Sequence, residues 1–173
     1  FGAQYSQLIA RKIRENNVFS EIHPYNISLN NLKSSNIKGV ILSGGPSSVY
    51  DTNAPKVSKE IFELGIPILG ICYGLQLLIH LHSGKVKPAE HKEFGHAYLQ
   101  FNNPSPLFKN IPDNSVVWMS HGDKAEKLSP EFEVIAQTQN SPYAAVYHRT
   151  KPFYGIQFHP EVVHTEKGTE ILK

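Results

Sequence analysis

The chain has 173 residues, a formal net charge of +2, 40% hydrophobic and 18% charged residues. These values fit one globular domain with a single core and exclude a disordered or fibrous protein. Lys and Arg never form a run, so we expect no nucleic-acid partner. The only cysteine, Cys72, rules out an internal disulfide and suits the reducing cytoplasm, where we place the protein.

The first half of the chain alternates helical and strand patterns. Apolar residues at helical spacing predict helices over residues 4–17, 28–34 and 56–64. Continuously apolar runs predict buried strands at 39–42 and 66–71, and a further short strand is predicted at 20–24. Strands that alternate with helices imply a parallel sheet covered on both faces.

The second half changes to short segments rich in β-branched and aromatic residues. Turns containing Pro, Asn, Ser or Gly separate them, which predicts antiparallel strands. These segments are residues 94–101, 115–119, 133–138, 144–148 and 153–159. No repeat or linker interrupts the chain, so we expect a change of layer within one domain.

The stretch "GICYG" places Cys72 between a predicted strand and a predicted helix over 73–82. Gly70 and Gly74 fit a sharp strand-to-helix turn that leaves no room for a Cβ, and the helix N-terminus would stabilise an anionic sulfur. A free cysteine in an apolar segment is as often a packing residue, so both interpretations stay open. The uncharged run 65–81 is slightly short for a membrane span and contains Pro67, so we expect no membrane partner.

His159 and Glu161 give the cysteine a candidate base. In an extended chain, residues two apart project to the same side, so the carboxylate can orient the imidazole toward the thiol. A strand-ending His beside an exposed Glu is the plain alternative. The loop "SGGPSS" lacks the spacing of a phosphate loop. Beside an elbow, the amides of Gly45 and Tyr73 are the expected oxyanion donors.

These motifs together resemble a known family. "FGAQYSQLIARKIRE", "SGGPSSVYD", "GICYGLQ", "VWMSHGDK" and "GIQFHPEVVHTEKG" are similar to class I (triad-type) glutamine amidotransferases, and within them to the glutaminase domains of GMP synthetases. The resemblance implies an α/β, three-layer fold: a mostly parallel central sheet with helices on both faces, plus a smaller antiparallel β region. It implies Cys72 as nucleophile, His159 as general base and acid, and Glu161 as its orienting partner. It also implies glutamine contacts from Gln76 and from the backbone around Ser120 and His121.

The resemblance further implies that residues 1–173 are one glutaminase domain, truncated at both ends, without the synthetase (ATP pyrophosphatase) domain. That partner, fused or separate, would use the released ammonia to aminate XMP to GMP. We expect no metal or cofactor for the glutaminase, and Mg-ATP only in the synthetase. Two alternatives remain: a stand-alone thiol hydrolase of γ-glutamyl compounds, and a non-catalytic glutamine-binding regulatory module.

Overall fold

A computed structural model describes all residues from 1 to 173. It contains four α-helices and eight β-strands, with 3₁₀ turns at Lys59–Glu63 and Pro106–Phe108. The helices are α1 (Ser6–Glu15), α2 (Leu29–Ser34), α3 (Tyr73–Leu81) and α4 (Gly168–Ile171). The strands are β1 (Val40–Leu42), β2 (Ile68–Ile71), β3 (Lys85–Tyr98), β4 (Gln100–Phe101), β5 (Val116–Lys127), β6 (Phe132–Gln137), β7 (Ala145–His148) and β8 (Phe153–Ile156).

Six of the strands form one sheet in the order β1-β2-β8-β7-β6-β4. Strand β2 pairs in parallel with β1 on one side and with β8 on the other. The pairs β8–β7, β7–β6 and β6–β4 are antiparallel. Strands β1, β2, β8 and β6 therefore share one direction, which confirms the predicted α/β class with a mostly parallel sheet.

The sheet carries a hydrophobic core on each face because side chains alternate along a strand. In β2, Ile71 packs into the core that contains Ile9 of α1 and Ile171 of α4. Ile68, three residues earlier in β2 and so on the opposite face, packs into the other core with Leu75 of α3. Full burial of each such side chain contributes about 1.5–3 kcal/mol. Helices thus cover both faces, as predicted for three layers.

The antiparallel second half is distributed differently from the prediction. Strands β4, β6, β7 and β8 extend the central sheet, and only β3 and β5 form a separate two-stranded ribbon. The ribbon runs well beyond the predicted segments 94–101 and 115–119. Most residues of its extra length are polar, so the strand pattern there is weak in the sequence. Cross-strand pairs such as Val86 with Ala125 form this part of the ribbon.

Three predicted elements are wrong in extent or type. Residues 20–24 form no strand, because β1 is the edge of the sheet and no other strand pairs there. The helix predicted over 56–64 is reduced to the 3₁₀ turn, which Ser58 caps and after which Gly65 takes a φ of 70°. The strand predicted over 153–159 ends at Ile156. None of the helices combines the length and apolarity needed to cross a bilayer.

Candidate active site

Cys72 lies at a strained turn between β2 and α3. Its backbone has φ 53° and ψ −106°, an unfavourable region for a residue with a Cβ. Glycines allow the close approach on either side. A Cβ at Gly70 would lie 2.6 Å from the Gly74 backbone, and a Cβ at Gly74 would lie 2.0 Å from the Leu42 carbonyl oxygen. The sharp turn predicted from "GICYG" is therefore present.

The turn places the sulfur at the start of α3, where Cys72 is 6% exposed. The Cys72 amide donates to the Ile156 carbonyl at 2.8 Å, which ties the turn to β8. The thiol donates to the Ser120 carbonyl at 3.6 Å and accepts from Gln157 Nε2 at 3.6 Å. Tyr73 is the first residue of α3, a position whose N–H has no acceptor inside the helix.

His159 lies beside the sulfur and is held from both sides. Its Nδ1 donates to Glu161 Oε1 at 2.7 Å, and Glu161 is 1% exposed. The His159 amide donates to the Trp118 carbonyl at 3.0 Å, and its carbonyl accepts from Thr165 Oγ1 at 2.6 Å. These bonds to the ribbon and to the following loop replace the strand ladder predicted for His159.

The charge state of His159 follows from its surroundings. Burial disfavours the charged imidazole, but hydrogen bonds and charge interactions with Cys72 and Glu161 outweigh it and raise the pKa of His159 to about 10. The imidazole is therefore protonated at neutral pH. A cation fixed by a carboxylate and facing a sulfur can stabilise a thiolate and can deliver a proton.

The loop after β1 forms one wall of the site. A Cβ at Gly44 would lie 3.3 Å from His159 Cε1 and 3.8 Å from Cys72 Cβ, so Gly44 faces both groups. Gly45 packs against the backbone of Phe1, 2.7 Å from where its Cβ would be.

Asp123 of β5, which the sequence analysis missed, anchors this loop. Its carboxylate accepts from the Ser48 hydroxyl and, at 2.9 Å, from the Tyr50 hydroxyl. It lies inside the motif "WMSHGD", and the motif was the only signal that could have found it.

Gln76 and Gln157 form a buried amide pair below the sulfur. Gln76 Nε2 donates to the Asp123 carbonyl at 2.9 Å and to Gln157 Oε1 at 3.2 Å. Both amide hydrogens of Gln76 are thereby used, which leaves its Oε1 to accept from a ligand. Gln157 was also missed. Its position two residues before His159 in "GIQFH" is the pattern that could have indicated it.

The two remaining predicted glutamine contacts, Ser120 and His121, point in different directions. Ser120 presents its backbone carbonyl to the sulfur. The His121 side chain is 2% exposed and turns inward, where Nδ1 lies 2.9 Å from the Asp123 carbonyl and Nε2 lies 3.1 Å from Glu93 Oε2. The predicted site residues thus lie on the β2–α3 turn, in the loop after β1, on the ribbon and in the segment after β8, and in the loop after β1 it is Gly44 that faces Cys72 and the imidazole.

A model of the family described as glutamine amidotransferase class-I matches residues 1–173. The chain belongs to this family. Among its curated relatives, the chain is 56% identical over 173 residues to the glutamine-hydrolysing GMP synthase of Caldanaerobacter subterraneus subsp. tengcongensis. It is 53% identical to the enzyme of the same name from Campylobacter jejuni subsp. doylei. In both cases the match covers 100% of the amidotransferase chain and 34% of the relative.

Solved structures share the fold of the amidotransferase. A GMP synthase subunit from Thermoplasma acidophilum matches with a TM-score of 0.84 at 30% identity, over 98% of this chain and 85% of that one. A glutamine amidotransferase of Thermotoga maritima matches with a TM-score of 0.71 at 20% identity, over 94% and 74% of the two chains. The amidotransferase therefore spans about a third of the curated relatives but most of the Thermoplasma chain.

Proposed function

We propose that this chain hydrolyses L-glutamine to glutamate and ammonia through a cysteinyl thioester, and that the ammonia serves the amination of XMP to GMP. The observation that carries the proposal is the array of Cys72, His159 and Glu161 at the start of α3, with the His159–Glu161 bond at 2.7 Å. Curated relatives named glutamine-hydrolysing GMP synthase support the assignment of the reaction.

In the proposed first step, the Cys72 proton resides on His159, and the Cys72 thiolate attacks the side-chain amide carbon of glutamine. The carbonyl oxygen takes the electron pair and accepts from the amides of Gly45 and Tyr73. As the tetrahedral intermediate collapses, the C–N bond breaks and His159 donates its proton to the departing nitrogen. The products are ammonia and a γ-glutamyl thioester on Cys72. A pKa of about 10 on His159 makes it a proton donor at neutral pH.

In the second step, His159 takes a proton from water as the water oxygen attacks the thioester carbon. The C–S bond breaks, glutamate leaves and the Cys72 thiolate is restored next to the protonated imidazole. Glu161 holds Nδ1 throughout, which keeps Nε2 directed at the sulfur. The steps use only groups of this chain, and we propose no cofactor for them.

Glutamine recognition is proposed for the wall opposite His159. The free Oε1 of Gln76 suits the α-ammonium group, and the backbone at Ser120 and His121 suits the α-carboxylate and the ammonium. Loss of one oxyanion donor is expected to cost about 10²–10³ in kcat.

The ammonia acceptor is proposed to be a synthetase domain or subunit that activates XMP with Mg-ATP. The curated relatives are about three times as long as this chain, which leaves room for such a domain. We place the reaction in the cytoplasm, since a chain whose single cysteine is free suits a reducing compartment. The stand-alone hydrolase and the non-catalytic module receive no support from these relatives.

Labelling with a glutamine-like diazoketone tests the proposal. We expect one added mass, located on Cys72, with glutamine protecting against it and with none in Cys72→Ser. Glutaminase activity is measured with a synthetase domain of one of the relatives supplied. Modification elsewhere, or no modification together with no glutaminase activity, would overturn the assignment.

A further inference from the structure

The side chains of Glu93, His121 and Ser141 form a buried cluster behind the site and have no part in the steps above. The Glu93 carboxylate accepts from His121 Nε2 at 3.1 Å and from the Ser141 hydroxyl at 2.8 Å. Ser141 is 2% exposed, and the Glu93 side chain is 11% exposed. Three separate segments, β3, β5 and the loop before β7, thus meet at one carboxylate.

The His121 ring has a hydrogen-bond partner at each nitrogen. His121 Nδ1 faces the Asp123 carbonyl, which can only accept, and Nε2 faces the carboxylate that already accepts from Ser141. The His121 ring therefore bridges the Asp123 carbonyl on one side and the Glu93 carboxylate on the other, and the Ser141 hydroxyl also lies 3.4 Å from Nε2. Burial opposes the charge on Glu93, but the bonds from His121 and Ser141 outweigh it and lower the pKa of this carboxyl. The cluster is a buried network of hydrogen bonds around the Glu93 carboxylate.

A continuous chain of hydrogen bonds joins this cluster to the sulfur. The Asp123 carbonyl accepts from His121 Nδ1 and from Gln76 Nε2, each at 2.9 Å. Gln76 in turn donates to Gln157 Oε1, and Gln157 Nε2 donates to the Cys72 sulfur. A change in the His121 ring would therefore shift the Asp123 carbonyl and, with it, the amide that faces the substrate.

The cluster also lies where the ribbon is least regular. Pro88 pairs with Asp123 and Glu93 pairs with His121, so residues 89–92 bulge opposite the single residue Gly122. Strand register is weakly specified at such an irregularity, and side-chain contacts must define where pairing resumes. The Glu93–His121 bond is the side-chain contact at that point. The same register directs the Ser120 carbonyl to the sulfur.

We propose that Glu93, His121 and Ser141 are positioning residues for the glutaminase reaction, which set the Asp123 carbonyl and Gln76 for glutamine through the His121 ring. This inference rests on the proposed function. Because the network acts on the glutamine-binding wall, its loss raises KM more than it lowers kcat. A misplacement of substrate-binding groups by about 1 Å can lower the rate by about 10²-fold. We therefore expect kcat/KM to fall by about 10- to 100-fold.

Two substitutions of His121 divide the network at different bonds. His121→Asn retains an amide donor at the place of Nδ1, for the Asp123 carbonyl, and loses the bond to Glu93. His121→Gln retains a donor at the place of Nε2 and loses the bond to Asp123. We expect both to raise KM, and Glu93→Ala to act like His121→Asn. In the Glu93→Ala/His121→Asn double variant, the effects should not add, because both changes break the same bond.

The matched control is Glu126→Gln on the same ribbon. Glu126 pairs with Lys85 and Lys87 at 2.6 and 2.8 Å but has no bond to the network, so glutamine kinetics should not change. Glu93→Gln, which keeps an acceptor for Nε2, should recover part of the loss seen with Glu93→Ala. Glu93→Leu, which fills similar space but offers no acceptor, should recover none of the loss, and this contrast would not be expected if Glu93 only filled space.

Two alkylating reagents separate positioning from general damage in the same chain. We expect the rate of Cys72 labelling by the glutamine-like diazoketone to fall at least tenfold in the His121 and Glu93 variants. Labelling by iodoacetamide, which needs no glutamine site, should stay within about twofold. The proposal is overturned if the variants react with the diazoketone as fast as the parent, or if both reagents slow equally. Failure of the proposed function looks different, since the parent chain itself would then not react with the diazoketone at Cys72.

Discussion

Gly74→Ala is the most direct test of the elbow. The new Cβ would lie 2.0 Å from the Leu42 carbonyl oxygen and 2.7 Å from its carbonyl carbon. Ordinary contact begins at 3.4 Å, so α3 and β1 would have to separate by 1.4 Å. The atoms in the way belong to backbone, which cannot rotate aside as a side chain can. Cys72 occupies the N-cap position of α3 and would move with the helix.

Two opposing effects define the expected size. Alanine improves helix propensity by about 1 kcal/mol, whereas overpacking of this kind costs about 3 kcal/mol. We expect a net loss of about 2 kcal/mol in the free energy of unfolding, or about 4–8 °C in Tm for a chain of this length. Displacing a nucleophile by about 1 Å lowers the rate by about 10²-fold, so kcat/KM for glutamine should fall about 100-fold.

Denaturant unfolding and a glutamate-release assay measure the two effects. Gly65→Ala is the control, since Gly65 has a φ of 70° and no atom lies within 4 Å of the position that a Cβ would take there. It should lose about 1–2 kcal/mol from backbone strain alone and keep its activity. If Gly74→Ala kept kcat/KM within threefold of the parent and unfolded at the same temperature, the argument that α3 requires this close approach would be refuted.

Three further predictions concern charge. Since the pKa of His159 is raised from 6.5 to about 10, its protonated form adds stability below pH 6.5 that is lost as the pH rises toward 10. Glu161→Gln should flatten that fall in urea unfolding curves. Burial lowers the pKa of His148, so stability should decrease as the pH falls below 6.5. His148→Asn, which can still accept from the Thr150 and Lys151 amides, should show a shallower decrease by thermal unfolding. Asp123→Ala removes the acceptor for the Ser48 and Tyr50 hydroxyls and should lower kcat/KM about tenfold, a loss of about 1.4 kcal/mol. Asp123→Asn should have a kcat/KM between those of the parent and Asp123→Ala. Equal activity in all three proteins would contradict the anchoring role.

The parts of the site that the sequence predicted are those that depend on neighbouring residues. At the turn around Cys72, a Cβ on Gly70 would meet the Gly74 backbone only four residues away, whereas the need for glycine at 74 comes from Leu42 of β1. His159 and Glu161 are two residues apart, so a short segment is enough to bring them together, although that segment is a turn and not the extended chain predicted. The α/β class followed from hydrophobic periodicity for a similar reason, since each strand and helix buries its own apolar face.

Contacts between segments that are distant in the chain could not be predicted from local sequence patterns. Asp123 and Gln157 carry no periodic signal, and their partners lie far away in the chain, at Ser48 and Gln76. The strand predicted at 20–24 fails for the same reason, because extended backbone becomes a strand only when a neighbour pairs with it. The predicted strand at 153–159 likewise ends early, where the ribbon supplies a competing acceptor at Trp118.

The amino-acid sequence by itself determined the elbow, the pairing of His159 with Glu161 and the alternation of strands and helices, since each arises within a few residues along the backbone. Only the tertiary structure decided that β8 lies beside β2 and so brings His159 to Cys72, and that Glu93 and Ser141 meet at His121. Those arrangements depend on which segments compete successfully for the same hydrogen-bonding edge and the same buried space. That competition involves the whole chain at once.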